Sequence, residues 1–159
     1  MGVRVEVKEA IAEQWLGRVL GAYPSQTAAF LAGQKDQFRN PIGHTLRGGL
    51  AFLLDELLQG MDGDRVRAAL DTIVQIRAVE DCPPGRAIEF LFQLKPILRG
   101  RVPEGELEML YGRIDEMALT AFDLYVKHRE RTFAARANEA RRRVFVMERR
   151  LQVCGREAE

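Results

Sequence analysis

Phe38-Arg39-Asn40-Pro41-Ile42-Gly43-His44-Thr45-Leu46-Arg47-Gly48-Gly49-Leu50 carries the firmest helix start in the chain, and the pattern runs on without a break to Leu58. Asn40 can take a hydrogen bond from one of the backbone N–H groups left over in a helix's first turn. Pro41 fits the next position, where no N–H is needed. Ile42, Leu46, Leu50, Leu53, Leu54, Leu57 and Leu58 then return at threes and fours, which gives this helix one apolar face. Gly48 and Gly49 interrupt it at mid-length, each at a cost of about 1 kcal/mol relative to alanine. A doubled cost of that kind points to a neighbouring backbone, or a small ligand, in close approach.

Outward from this segment the chain reads as helix after helix, with no strand pattern, repeat or low-complexity stretch. Val7 to Tyr23 predicts a first helix with Ile11, Trp15, Val19 and Leu20 on one side. Tyr23-Pro24 ends it, and Ser25 can cap a short second helix through Phe30 and Leu31. After the anchor helix, Gly60-Met61-Asp62-Gly63 makes a turn, with Gly60 as the stop. Asp64 can cap a helix to Val79 that carries Val66, Leu70, Ile73, Val74 and Ile76. Cys82-Pro83-Pro84-Gly85 breaks the chain again. Ala87 to Leu98 follows, apolar almost all round and so destined for the middle of the molecule, with Pro96 expected to kink or shorten its last turn.

From Glu104 to about Leu151 there is no proline, which predicts one helix of ~70 Å at 1.5 Å per residue. That exceeds the width of a domain this size, so its far end must project or fold back. Its first half has a broad apolar stripe that includes Leu107, Leu110, Ile114, Met117, Ala121, Phe122 and Tyr125. In its second half the stripe narrows to Phe133, Ala137, Ala140, Val144, Met147 and Leu151, a heptad seam suited to a partner helix. Residues 1–126 are therefore read as a helical domain, and 127–159 as a basic, coiled-coil-like extension of the last helix.

At 159 residues the chain makes one domain with a core of its own, and 47% hydrophobic with 30% charged residues is ordinary soluble composition. The formal charge of +1 hides a polarity: residues 101–126 hold six acids and two bases, whereas residues 127–150 hold three acids and nine bases. Cys82 and Cys154 lie far apart, with no spacing for a structural zinc or a disulfide framework. The start lacks the apolar run of a signal peptide, Glu6 stands where a myristoylation signal needs Ser or Thr, and no window is apolar enough to insert in a membrane. The expected location is the cytoplasm.

Two stretches together carry a family resemblance. One is Phe38 to Leu50, with Asn40-Pro41-Ile42-Gly43-His44 at its centre. The other is Ala69 to Asp81, with Ile76-Arg77-Ala78-Val79-Glu80-Asp81, running into Ala87-Ile88-Glu89-Phe90-Leu91. The chain resembles, over roughly Trp15 to Phe122, the N-terminal domain of RsbRD-type proteins, the co-antagonists of RsbT in bacterial stress signalling. The resemblance implies an all-α sensory module, globin-like or bundle-like, of about six helices ending in a long one. It also implies dimerisation and the lack of a haem. The family commonly joins this module to a phosphorylatable STAS domain. With the sequence ending at Glu159, the expectation is a module without it, acting through a separate signalling protein. Pro96 departs from the family pattern.

The candidate ligand-facing residues are Arg77, His44, Arg47, Gly48 and Gly49. Arg77 falls four residues after Ile73 and three after Val74, which puts a cation on or beside an apolar face. A buried guanidinium needs a carboxylate, and Asp55, Asp71 and Asp81 are the candidates. His44, in the first turn of its helix, reads as a capping or packing residue. Cys82 has nothing basic immediately beside it in sequence and reads as inert. No catalytic set, metal cluster or cofactor motif can be placed, so a non-enzymatic regulatory role is expected. Two other readings stay open. One is a haem- or gas-binding globin-like sensor, with His128 as the conceivable ligand. The other is a nucleic-acid-binding accessory protein using Arg141-Arg142-Arg143 and Arg149-Arg150, which Glu139 and Glu148 make less suited to the task.

Overall fold

The computed structural model describes residues 5–80 and 82–156, with residues 153–156 as backbone only. Asp81, the side chain of Cys154 and the first four residues, on which some of the readings above fell, lie outside that description. Among the described residues the chain is all helix: α1 (Val5–Leu20), α2 (Ser25–Gly33), α3 (Pro41–Gln59), α4 (Gly63–Val79), α5 (Pro84–Phe92), α6 (Leu94–Leu98) and α7 (Glu104–Arg156). None is long and apolar enough to cross a membrane.

The Asn40-Pro41 start is built as the residues dictate. Asn40 is buried, its Oδ1 accepts from the Gly43 N–H at 2.8 Å, and its Nδ2 donates to the carbonyls of Leu31 and Gln34, both at 2.9 Å. One side chain thus caps α3 and ties down the end of α2. Gly43 is part of the same device: a Cβ there would lie 2.2 Å from Asn40 Nδ2, so the amide can fold over the first turn only if residue 43 has no side chain. Two other caps differ from expectation. Ser25 is the first residue of α2 and Pro24 is its cap, with the Pro24 carbonyl accepting from Ala28 N–H at 2.8 Å; an extended proline reaches that position without a side-chain bond. Asp62, not Asp64, caps α4, accepting from the N–H groups of Asp64 and Arg65 at 3.1 Å.

Pro96 does more than kink a helix. Its ring crowds the carbonyl four residues back, that of Phe92, and it cannot donate to it. The helix accordingly stops at Phe92, and after Gln93 a separate α6 begins at Leu94. Ala87–Leu98 is spread over two short helices, so the described residues form six helices and the long α7. The core they join holds α1, α3, α4 and the first half of α7 together. Trp15 is fully buried and donates its indole N–H to the Phe90 carbonyl at 2.7 Å, with the two rings stacked 6.2 Å apart. Leu110, Ile114, Met117, Ala121, Leu124 and Tyr125 of α7 are buried. Phe122, expected among them, is exposed, as is Ile42 on α3, because each lies off the side of its helix that meets the body.

The glycine pair divides. A Cβ on Gly49 would lie 2.9 Å from Ile73 Cδ1, so this position brings α3 close to α4. Gly48 faces open space, with nothing within 4 Å, and marks no approach. Gly48→Ala should therefore raise the unfolding free energy by about 0.5–1 kcal/mol through helix propensity alone. Gly49→Leu should lower it by about 1–3 kcal/mol through overpacking against Ile73. Urea unfolding of the two variants checks both signs.

Candidate functional site

Four polar or charged side chains are buried in this protein among the described residues: Asn40, Glu56, Arg77 and His128. Burial of such a group is tolerable when its bonds are met, and each can be checked. Asn40 has the three bonds given above. Glu56 pairs with Arg65 at 3.0 Å and accepts from the Asp62 N–H at 3.1 Å. His128, 8% exposed, sits between α7 and α4 with its Nε2 2.8 Å from Asp71 Oδ1. The nitrogen that a haem would need is thus held by a carboxylate.

Arg77 is the exception. It is 5% exposed, yet its Nε lacks any hydrogen-bond partner, and no ion pair reaches its guanidinium from the described residues. Two of the expected carboxylates are engaged elsewhere: Asp55 with Lys8 at 2.7 Å, and Asp71 with His128. The third, Asp81, lies outside the described residues. What Arg77 does have is the Tyr23 ring, whose centroid lies 5.1 Å from its guanidinium carbon. A cation–π contact contributes about 0.5–2 kcal/mol, whereas taking a guanidinium out of water costs several kcal/mol. The ring contact does not offset the burial.

Arg77 lines a cavity of about 240 Å³ between the end of α1, the C-terminal part of α4, and α5. Val19, Ala22 and Phe90 supply apolar wall; Cys82, Arg86, Glu89 and Gln93 supply the rest. Gln93 repeats the anomaly in the opposite sense, since its Oε1 is a buried acceptor with no donor. Gln93 falls at the break that Pro96 imposes, so the interruption of the helix is also what places this amide. Arg86 sits in the first turn of α5 and approaches Glu89 at 3.9 Å. Cys82, without a basic neighbour in sequence, shares the cavity with two arginines.

The remaining candidates do not join Arg77. His44 and Arg47 line a separate, open groove of about 620 Å³ with Glu13, Leu16 and Lys35, and Arg47 donates to the Ala32 carbonyl at 3.1 Å. Gly48 and Gly49 belong to neither space. On α7, Phe133, Ala137, Ala140, Val144, Met147 and Leu151 are all exposed, and of the nearby arginines Arg142 and Arg143 each pair with Glu139 at 3.1 Å. Sequence reasoning missed three features. Gln93 carries no motif. His128 is placed opposite Asp71 only by the packing of α7 on α4. Tyr125 donates its hydroxyl to the Cys82 carbonyl, which ties α7 to the cavity's edge. Among the described residues no group of His, Cys, Asp and Glu is arranged to hold a metal.

Comparison with known proteins adds a family. A model described as the RsbT co-antagonist protein rsbRD N-terminal domain matches residues 9–140. No curated protein and no solved structure matches the chain.

Burial pushes the Tyr23 hydroxyl from its ordinary 10.0 up to about 12; the Arg77 charge opposes the shift, and Glu80, whose Oε2 accepts from that hydroxyl at 3.2 Å, adds to it. A raised value means that the folded state holds the proton more tightly, so the contribution is whole below pH 10 and is lost as pH rises towards about 12. Unfolding midpoints followed across that window should fall in the native protein. In Tyr23→Phe the fall should be shallower.

Proposed function

The chain belongs to the RsbRD N-terminal domain family, and from that premise we propose that it acts as a homodimeric, cytoplasmic regulator that passes a signal to another signalling protein through α7. The family is one of regulatory sensor modules in stress-response signalling and is not a known enzyme family. The observation that carries the reading is the exposed face of α7. Leu119, Phe122, Val126 and Phe133 are exposed apolar residues, and Val144, Met147 and Leu151 continue the row beyond the body with Ala137 and Ala140 between them. Steps of three and four keep them on one side of a single helix, with one step of seven from Val126 to Phe133, where Arg129 and Glu130 stand. An apolar stripe of this kind marks an interaction surface, and a heptad seam such as Phe133 to Leu151 is met by another helix.

The first half of α7 is clamped to the body and the second half is free, so a change in how the body packs is carried outward by a rigid element. Such transmission needs two packings of unequal affinity for a ligand or partner, because a ligand shifts an equilibrium only by its differential binding. The double variant Val144→Glu with Met147→Glu tests the pairing. Charges in the seam should raise the dimer dissociation constant by about a hundredfold or more while helix content stays the same. Sedimentation equilibrium reads the outcome, and a variant that remains as dimeric as the native chain refutes the role given to α7.

A further inference from the structure

We propose that the cavity around Arg77 binds a short carboxylic acid that carries a hydroxyl or ammonium group next to its carboxylate. The proposal rests on reading the chain as a ligand-responsive sensor and names the chemistry to which it responds. A nearly buried guanidinium that no ion pair reaches from the described residues calls for an anion. Arg77 is that charge, 5% exposed and unpaired, and it lines the cavity. A guanidinium edge matches a planar carboxylate with two parallel hydrogen bonds. Gln93 offers the complement: a buried carbonyl oxygen with no donor, on the same cavity, suited to a hydroxyl or ammonium hydrogen.

Size and lining narrow the class. A volume of about 240 Å³ lies below the ~300–1,000 Å³ typical of pockets for drug-sized ligands, which favours a small one. Val19 and Phe90 give the short carbon skeleton an apolar wall. Glu89 also lines the space, and its carboxylate disfavours a doubly charged phosphate while tolerating an ammonium group. Arg86, exposed on the first turn of α5, supplies a second positive charge on the same lining. Occupation has a direct way out of the cavity: Cys82 lines it, and the Cys82 carbonyl accepts the Tyr125 hydroxyl of α7.

The test uses the full chain with L-lactate and L-alanine as probes, and lactamide, which lacks the charge, as the control. Calorimetry and thermal shift should show saturable binding of one or both acids at up to millimolar concentration, with lactate favoured if Gln93 takes a hydroxyl and alanine if it takes an ammonium group. Lactamide should bind about ten- to a hundredfold more weakly. Arg77→Met should abolish binding and, without ligand, should keep or raise the melting temperature, because it removes an uncompensated charge. Ala22→Phe, which fills the cavity from its edge and leaves the arginine in place, should also abolish binding, and it serves if the first variant does not fold. No saturable binding of either acid to the native chain overturns the proposal. So does equal binding of lactamide, or retention of binding in Ala22→Phe. The same titration on Val144→Glu with Met147→Glu separates the two readings, since a cavity that binds in a monomer stands without the seam, and a seam that pairs without binding stands without the cavity.

Discussion

A helix longer than the body it packs on is the constraint from which the rest follows. At 1.5 Å per residue the 53 residues of α7 span ~80 Å. The buried side chains on it run from Leu110 to His128, where α4 and α5 lie alongside. Within that stretch the apolar row shares one buried core with Leu70, Ile73 and Val74 of α4, and burial holds the helix down. Past Thr132 no partner of that kind remains among the described residues. The same regular backbone continues, but its apolar positions face water.

The body is held by a small number of specific fits beneath a general hydrophobic burial. Asn40 joins the end of α2 to the start of α3, and the bare Cα of Gly49 lets α3 settle against Ile73 of α4. Trp15 stitches α1 to α5 through the Phe90 carbonyl. Arg113 of α7 donates to the Leu57 carbonyl at 2.7 Å, which satisfies an orphan acceptor near the end of α3. Against these satisfied groups, the unpartnered Nε of Arg77 and Oε1 of Gln93 stand out. Structures break their own rules chiefly where a function requires it, and among the described residues the two buried side-chain atoms with neither a hydrogen bond nor an ion pair belong to residues that line one cavity.

How far the sequence reveals this depends on how local each cause is. Asn40-Pro41 can be read because cap and helix are adjacent in the chain, and the apolar periods of α1, α3, α4 and α7 can be read because they repeat. Gly48 and Gly49 look alike in sequence and differ only in what faces them, which is a fact about α4. Pro96 was visible, but whether it bends a helix or ends one depends on the room around the Phe92 carbonyl. The fate of Arg77 was the least legible. Spacing shows that it falls on an apolar face, and burial follows. Which carboxylates are free to meet it depends on Lys8 and His128, from α1 and α7, claiming Asp55 and Asp71 first. Gln93 has no signature at all, since its position comes from a helix break and its isolation from tertiary packing.

The placement of the cavity relative to α7 gives the two halves of the molecule a physical connection. Three side chains within about one turn fasten α7 to α4 and to the segment that follows it: Tyr125 to the Cys82 carbonyl, His128 to Asp71, and Arg129 to the Ala78 carbonyl at 3.4 Å. They are polar and directional, and they sit where the clamped helix becomes the free one. Arg77 and Cys82 belong to the same end of α4 and its exit. Apolar packing tolerates small slides, whereas a hydrogen bond weakens steeply with misalignment. Displacement of Cys82 by a few tenths of an ångström would therefore act first on the Tyr125 bond, at the point where a small angular change is magnified along the ~40 Å of free helix beyond it.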